Sequence, residues 1–353
     1  MEANRVKHLL DLKGEREWHD WRFQLRNSPR SIPDLLEMIP DLKKTLKNSR
    51  SFETTSEIIH AAEIYRFAAT PYYISLLNPE NPYDPILKQL LPDGRELSDP
   101  VFTSPDPLHE EKYSPMPGLI HRYPDRVLLY TTDRCAVYCR YCTRKRKILE
   151  EDPAVDIEPA LEYIRTHTGI LEVILSGGDP LFLSDGALET ILKQLRKIKH
   201  LISIRIHTRM PVVLPMRITD RLLAIFEKYD PITMVTHFNH ANEITDDTAQ
   251  YVKRLRKSGV IMLNQTVLLK DVNDTTECME ELFLNLLKIG IKPYYLHQCD
   301  EVKGVSHFQT SVETGKNIMQ ELWGRIPGIA VPRYVIDLPE GGGKHPVEFP
   351  IIL

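Results

Sequence analysis

The order of apolar and polar positions divides the chain into two parts of different character. In the first part, apolar side chains recur at helical spacing, as at Ile58, Ala61 and Tyr65. The chain then becomes rich in proline between Pro79 and Pro117. This pattern predicts an N-terminal helical region followed by a proline-rich connector, together covering residues 1–115.

From about residue 127 onward, short β-branched or apolar runs alternate with longer amphipathic runs. This alternation predicts a parallel sheet covered by helices. Periodicity alone does not separate a barrel from a doubly wound sheet, so both folds stay open at this point. The predicted strands are 127–132, 171–176, 203–207, 232–236, 260–267, 292–296 and 333–337. The predicted helices are 185–198, 220–228, 246–258, 277–288 and 311–323.

The composition is that of an ordinary globular protein, with 42% hydrophobic and 27% charged residues among 353 and a formal net charge of -4. This charge balance gives no overall attraction to nucleic acid or to anionic lipid. The N-terminus lacks the apolar run of a signal peptide, and no run of about eighteen apolar residues occurs. We therefore expect a cytoplasmic protein that binds neither nucleic acid nor membrane.

Residues suited to chemistry follow several of the predicted strands. In barrels and doubly wound sheets alike, active sites form at the carboxyl ends of parallel strands. We therefore expect one rim of the sheet to carry these residues together. They are Cys135, Gly177, Gly178, Asp179, His237, Asp300 and Lys344.

Three cysteines are clustered at Cys135, Cys139 and Cys142, whereas Cys278 and Cys299 stand alone. An odd number of cysteines clustered in this way favours metal ligation over a disulfide framework. Three thiolates can hold three irons of a four-iron, four-sulfur cluster and leave the fourth iron open to another ligand. A structural zinc ion is the alternative, but zinc needs a fourth ligand, and neither lone cysteine belongs to a second ligand pair.

A glycine-rich segment, Gly341 to Lys344, lies near the end of the chain and is the second candidate motif after the cysteines. Glycines let backbone amides approach a phosphate, and the lysine could form a Schiff base with pyridoxal phosphate. A solvated C-terminal tail is the alternative interpretation. The phosphate loop of nucleotide hydrolases is disfavoured, because the leading glycine and the trailing Ser or Thr of that pattern are missing, and Pro339 and His345 flank the segment instead.

With these motifs, the chain resembles the lysine 2,3-aminomutase family, whose members are radical S-adenosylmethionine enzymes that also use pyridoxal phosphate. The resemblance implies a partial (βα)6 barrel of the TIM type behind an N-terminal helical region. The barrel and its C-terminal lysine segment would cover residues 116–353. The stretches similar to family motifs are 18–21, 69–73, 117–126, 135–146, 176–180, 236–240 and 337–346.

The resemblance implies which residues hold the cofactors. The three clustered cysteines match the cluster ligands, and Lys344 matches the lysine that holds pyridoxal phosphate as a Schiff base. Two arginines match contacts to its phosphate, for which their fixed charge is suited. His237 and Gln265 match contacts to S-adenosylmethionine. Beside the cysteine motif, Gly177 and Gly178 would leave backbone groups open to the same cofactor, although a glycine pair after a strand is usually a tight turn. Asp179 could accept from the ammonium of that cofactor or order the loop. The phosphate arginines are Arg122 and Arg126.

The resemblance also implies a substrate site. Arg144 matches the residue that pairs with the substrate carboxylate, and Asp300 and Asp337 match the two acids that receive the side-chain ammonium of lysine. A surface salt bridge is the alternative for each arginine. Asp337 has the alternative of capping a turn before Pro339.

The activity implied is that of an isomerase that interconverts L-lysine and β-lysine by 1,2-amino migration. Its electron would come from a donor such as flavodoxin or ferredoxin. One alternative is a β-lysine synthase dedicated to elongation factor P, and another is an aminomutase acting on arginine. A zinc- and RNA-binding module, built on Cys135 to Cys142 and the basic run Arg144 to Lys147, is a remote alternative.

Two features depart from the family pattern. His297 stands where many members have a tyrosine near the cofactor. The sequence ends nine residues after Lys344, so we expect a short form without the C-terminal extension of longer members. Structural zinc and a tetramer are then not expected, and a homodimer is left open.

Overall fold

The computed structural model describes residues 15–48, 55–98, 100, 103–148, 157–338 and 343–348. Two glycines of the C-terminal triplet, Gly341 and Gly342, lie outside these described residues, as does Pro339. In the described ranges, no helix combines the length and apolar character needed to cross a membrane.

One sheet forms the centre of the fold, and the described residues contribute nine strands to it. The strands are β1 (Leu119–Tyr123), β2 (Arg126–Thr132), β3 (Glu172–Gly177), β4 (Ser203–His207), β5 (Ile232–Thr236), β6 (Ile261–Leu268), β7 (Lys292–Gln298), β8 (Arg333–Leu338) and β9 (Gly343–Pro346). Strands β2 to β8 run parallel, with β1 and β9 antiparallel at the edges. A doubly wound sheet would reverse its strand order near the middle. Here the order across the sheet is the order in the chain, so the fold is the partial α/β barrel that the resemblance implies.

Helices precede the sheet and then connect its parallel strands. They are α1 (Glu15–Trp18), α2 (Trp21–Arg26), α3 (Ile32–Met38), α4 (Pro40–Asn48), α5 (Thr55–Ile64), α6 (Pro71–Ile74), α7 (Pro85–Leu90), α8 (Glu158–Thr166), α9 (Asp185–Leu195), α10 (Met210–Val213), α11 (Asp220–Lys228), α12 (Asp246–Lys257), α13 (Thr276–Ile289) and α14 (Val312–Arg325). Each parallel strand from β2 to β7 is followed by one of the longer helices α8, α9, α11, α12, α13 and α14. In the described chain this gives the six strand–helix units expected of a (βα)6 barrel.

Capping residues mark the ends of several connecting helices. Thr219, Thr245 and Ser311 each accept a hydrogen bond from an amide of the first helical turn, where amides have no partner within the helix. Helix α13 ends at Gly290, whose φ of +83° is a left-handed C-cap that glycine adopts without strain. Local sequence therefore sets where these helices begin and end.

The strands separate an apolar outer face from a polar inner face. On β4, Ile204 and Ile206 are buried in the core, whereas Arg205 and His207 line the interior cavity. Successive side chains of a strand point to opposite faces, so one strand serves both the core and the site. The polar residues of the inner face are therefore compatible with a fully packed core outside the barrel.

The N-terminal helices share the core of the barrel. Trp18, Leu35 and Leu42 belong to the same buried cluster as the strand residues. Tyr72 of α6 also reaches the barrel, because its hydroxyl lies 2.6 Å from the Thr245 hydroxyl at the start of α12. The helical region therefore packs directly against the sheet-and-helix part.

The predicted strands and helices are all present, and their ends agree within a few residues. The largest difference is at the helix predicted over 185–198, which ends at Leu195. Sequence analysis does not predict β1, β9, α8 or the short α10. The two strands are short edge strands, each with one charged residue and one histidine, so they lack the β-branched pattern of the interior strands.

Candidate active site

A cavity of about 1830 Å³ lies at the carboxyl ends of the parallel strands. Each site residue expected from the sequence lines this one cavity. They are Arg122, Arg126, Cys135, Cys139, Cys142, Arg144, Gly177, Gly178, Asp179, His237, Gln265, Asp300, Asp337 and Lys344. The cavity has room for more than one small molecule, since pockets for drug-sized ligands span about 300–1,000 Å³.

The three clustered cysteines lie on the loop after β2. Burial, and then the charges of Asp179 and the neighbouring thiols, raises the pKa of Cys135 well above its ordinary value. Burial and Cys139 likewise raise the pKa of Cys142 to about 11. Three thiolates gathered here therefore need a nearby positive charge, which a metal centre supplies.

A cluster of four irons matches the number of these cysteines, because each thiolate binds a different iron and the fourth iron stays open. A single zinc ion would need four ligands around one point. Among the described residues, no group of three His, Cys, Asp or Glu side chains converges on one such point.

Gly177 and Gly178 bring the loop after β3 against the cysteine loop. Gly177 has a φ of +114°, and a Cβ there would lie 2.6 Å from the carbonyl oxygen of Thr132. A Cβ on Gly178 would collide with the backbone of Arg134. From the sequence, these glycines are expected to leave backbone groups accessible to a ligand. In the structure, the close approach of the two loops already requires them.

Asp179 orders the same loop rather than presenting a free carboxylate. Its Oδ1 accepts hydrogen bonds from the Thr208 hydroxyl at 2.7 Å and from the Leu181 amide at 3.0 Å. Its Oδ2 accepts one from the Arg209 amide at 2.8 Å. Of the two roles considered from the sequence, loop ordering is the one visible here.

His237 and Gln265 meet inside the barrel, where the Gln265 side-chain amide contacts Nε2 of His237. Burial, assisted by Arg209 and Arg144, lowers the pKa of His237 to about 3. The imidazole is therefore neutral at physiological pH, so the pair adds polar atoms to the cavity without adding charge.

Lys344 lies on a strand, which corrects the expectation of a loop after the last strand. Strand β9 pairs with β8, and Lys344 stands directly opposite Asp337. Its Nζ is 2.9 Å from Oδ2 of that aspartate. Its backbone amide donates to the Tyr123 hydroxyl at 2.9 Å. Strand pairing therefore fixes the position of this amine.

The two arginines expected to bind phosphate lie over the ring of Tyr123, whose hydroxyl accepts from the Lys344 amide. Arg126 stacks over the Tyr123 ring at 3.7 Å and pairs with Asp125 at 2.9 Å. Arg122 lies 3.5 Å from Asp337, and its Nε is buried with no hydrogen-bond partner among the described residues. Its Nη2 donates to the Leu338 carbonyl, so Nε is the donor of this guanidinium that an anion in the cavity could use.

Arg144, the residue expected to bind the substrate carboxylate, is paired with Glu110. Its Nη2 lies 2.7 Å and its Nε 3.0 Å from Oε1 of Glu110. Oε2 of the same glutamate accepts from the Tyr130 hydroxyl at 3.0 Å. This bidentate pair engages one edge of the guanidinium. Within the described chain, no hydrogen bond is recorded for Nη1, which leaves that donor for a ligand.

Asp300 and Asp337 form an acidic region of the same cavity. The Thr143 hydroxyl donates to Oδ2 of Asp300 at 2.9 Å. Burial, followed by the charge of Asp337, raises the pKa of Asp300 to about 6. Asp337 is more fully engaged, because Nδ1 of His297 lies 3.7 Å from it, in addition to Lys344 and Arg122. A ligand ammonium at this point would relieve the repulsion between the two acids.

Sequence analysis misses three residues at this site. Arg209 follows β4, the third of the parallel strands, and the same rule that selected the other strand ends would have found it. Glu110 and Thr143 carry no such signal, because their roles come from contacts with Arg144 and Asp300 that only the fold creates.

Comparison with known proteins places this geometry in context. The sequence model of the radical SAM superfamily matches residues 129–283. L-lysine 2,3-aminomutase from Clostridium subterminale is 44% identical, with 98% of this chain and 81% of that protein covered. L-lysine 2,3-aminomutase from Methanococcus maripaludis is 46% identical over 94% of this chain and 76% of the relative. Glutamate 2,3-aminomutase from Clostridioides difficile is 39% identical over 97% of this chain and 79% of that protein.

Proposed function

The chain belongs to the lysine 2,3-aminomutase family of radical S-adenosylmethionine isomerases, and on this premise we propose that it interconverts L-lysine and β-lysine. The reaction moves the α-amino group to the neighbouring carbon. Members of the family use a four-iron, four-sulfur cluster, S-adenosylmethionine and pyridoxal phosphate. The observation that supports lysine as the substrate is the pair of acids, Asp300 and Asp337, in the cavity that also holds Arg144 and Lys344.

The residues present fit these cofactors. The half-buried thiols of Cys135, Cys139 and Cys142 would hold the cluster. Nε of Arg122, which has no partner among the described residues, and the Lys344 amine would take the phosphate and the aldehyde of pyridoxal phosphate. When bound, these groups together supply the radical and the conjugated system that spreads its unpaired electron. The neutral imidazole of His237 would contact S-adenosylmethionine without opposing its positive charge.

The substrate would be held at both of its ends. Arg144 would bind the carboxylate through Nη1, while Glu110 keeps the other edge of the guanidinium fixed. Asp300 and Asp337 would receive the side-chain ammonium, since a buried cation needs compensating negative charge. Two fixed ends would hold the reacting carbons at one position, which is the main contribution a protein makes to such chemistry.

The contact between Lys344 and Asp337 supports the choice of an ammonium-bearing substrate. In this structure Asp337 already accepts a primary ammonium, because Nζ of Lys344 lies 2.9 Å from its Oδ2. A carboxylate that accepts this ammonium has the chemistry to accept the side-chain ammonium of a substrate, which carries the same charge and the same donors.

Anaerobic incubation with each candidate amino acid tests the proposal. Reconstituted enzyme, a reductant and both organic cofactors are combined with L-lysine, L-arginine or L-glutamate, and products are separated by chromatography. We expect β-lysine from lysine and no product from glutamate, whose side-chain carboxylate would face two acids. Asp300→Asn should raise the KM for lysine at least about tenfold. Glu227→Gln, on the exposed face of α11, is the control. Turnover of glutamate in place of lysine would contradict the proposal.

The same proposal extends to the source of the electron. We expect a low-potential donor such as flavodoxin or ferredoxin, acting in the reducing cytoplasm. All five cysteines lie in the described residues and are free thiols, as a reducing compartment requires. Reduced flavodoxin should replace a chemical reductant in the assay, and failure of every protein donor to do so would contradict this part.

A further inference from the structure

We propose that Arg209 is a positioning residue that raises the reduction potential of the iron–sulfur cluster through its contact with Cys139. The inference rests on the cluster proposed at Cys135, Cys139 and Cys142. It goes further by assigning a role to a residue that neither ligates the cluster nor follows from the cysteine motif.

The contact is direct and buried. Nη1 of Arg209 donates to Sγ of Cys139 at 2.9 Å, and the side chain of Arg209 is only 8% exposed. Hydrogen bonds to the sulfurs of an iron–sulfur centre are among the features by which a protein sets its potential. A full positive charge at this distance acts strongly, because little water is present to screen it.

The guanidinium is fixed from the opposite side. Its Nη2 donates to the Tyr73 hydroxyl at 2.8 Å and to Oε1 of both Gln89 and Glu243 at 2.7 Å. The backbone amide of Arg209 is held by Asp179 at 2.8 Å. With these anchors in place, Nη1 has one orientation, and that orientation faces Cys139.

A second observation indicates that an acceptor other than protein belongs beside this arginine. Its Nε is buried and has no hydrogen-bond partner among the described residues, although the guanidinium lines the cavity. Glu243 compensates the positive charge, but its Oε2 is occupied by the amides of Asn239 and His240. The arginine is therefore arranged to interact with a further electron-rich group on the cavity side.

The expected electrostatic effect has a definite sign. Reduction adds one negative charge to the cluster, and a nearby cation stabilises the reduced form more than the oxidised form. Arg209 should therefore make the cluster easier to reduce by the low-potential donor. Loss of the charge should make reduction harder, whereas a purely structural role would leave the potential unchanged in any variant that folds and binds iron.

The test is a redox titration of the reconstituted enzyme without substrate, followed by electron paramagnetic resonance of the reduced cluster. Arg209→Gln should lower the ratio of reduced to oxidised cluster about tenfold at a fixed applied potential, which is a midpoint about 59 mV lower. Arg209→Lys keeps the charge but loses the forked geometry, so an intermediate shift of about threefold is expected. Arg217→Gln is the matched control, because Arg217 is equally buried and pairs with Asp185 at 2.7 Å. Its midpoint should equal that of the wild type.

Iron content and thermal melting are measured on each variant beside the titration. Unshifted midpoints in iron-loaded Arg209 variants would overturn the proposal and leave the proposed function intact. If Arg209→Gln does not retain iron, the titration of Arg209→Lys decides. An unshifted midpoint in that variant then overturns the proposal by itself. Failure of the wild type to bind iron at all would instead refute the cluster itself.

Discussion

Replacing Asp300 by Asn should stabilise the folded protein at neutral pH while it weakens substrate binding. Asp300 is half-buried in the wall of the cavity, and the side-chain hydroxyl of Thr143 donates to it at 2.9 Å. Burial, followed by the charge of Asp337, raises its pKa to about 6. A carboxyl whose pKa is higher in the folded protein than in the unfolded chain costs stability once it ionises, because the folded state holds the proton more tightly.

The size of this cost follows from the difference in pKa. The ordinary value is 3.8, and a difference of about two units corresponds to about 3 kcal/mol at neutral pH. The cost is absent below the ordinary value, grows as pH rises toward 6, and is constant above that pH. Asn carries no charge, so the stability of Asp300→Asn relative to the wild type should increase by about 1 kcal/mol between pH 5 and pH 8.

Urea unfolding at these two pH values measures the effect. The protein is unfolded without substrate and followed by circular dichroism, and the free energy of unfolding is obtained by linear extrapolation. Glu227→Gln, which removes one exposed negative charge, should show no comparable increase. If the difference between Asp300→Asn and the wild type is the same at both pH values, the reasoning from a raised pKa is refuted.

Three further predictions concern the cofactor amine, the glycine loop and a buried ion pair. Lys344→Ala should abolish the visible absorption that pyridoxal phosphate acquires on attachment to lysine, whereas Lys303→Ala, on the exposed surface, should retain it; an unchanged band in the first variant contradicts the assignment. Gly178→Ala should lower the free energy of unfolding by about 1–3 kcal/mol and reduce iron uptake, because its Cβ meets the backbone of Arg134. Gly186→Ala, with no atom within 4 Å of its Cβ, is its control, and equal stability of the two would contradict the packing argument. Glu96→Gln should cost about 3–5 kcal/mol in chemical denaturation, since it leaves Arg140 and Lys145 buried without their shared carboxylate; a loss below about 1 kcal/mol, the scale of an exposed ion pair, would show that these charges are solvated.

The parallel strands and their helices were predictable because each signal is local. Strands β3 to β8 carry short apolar runs, and Ser or Thr caps mark the starts of the helices that follow. The edge strands β1 and β9 carry little such information. Their residues are extended because β2 and β8 offer unpaired hydrogen-bonding edges, which is a property of the completed sheet.

The sequence predicted which residues line the cavity only where a reactive side chain stands directly after a predicted strand. Cys135 and His237 stand directly after strands, so the rule that parallel strands place their carboxyl ends on one rim was sufficient. Contacts between site residues that lie far apart in the sequence were not predictable. Glu110 contacts Arg144 across 34 residues of sequence, and Arg209 reaches Cys139 across 70 residues, so neither pair leaves a pattern in the chain.

The hairpin of β8 and β9 illustrates why the register matters more than the spacing. Asp337 and Lys344 are directly opposite each other, so their side chains lie on the same face of the sheet. A slip of one residue would place Lys344 opposite Ile336 or Leu338 and turn its amine to the other face. The amine can reach both the acid and a cofactor in the cavity only in the observed register. Substitutions that shift this pairing should therefore abolish cofactor attachment even when Lys344 itself is retained, which separates the position of the amine from its chemical identity.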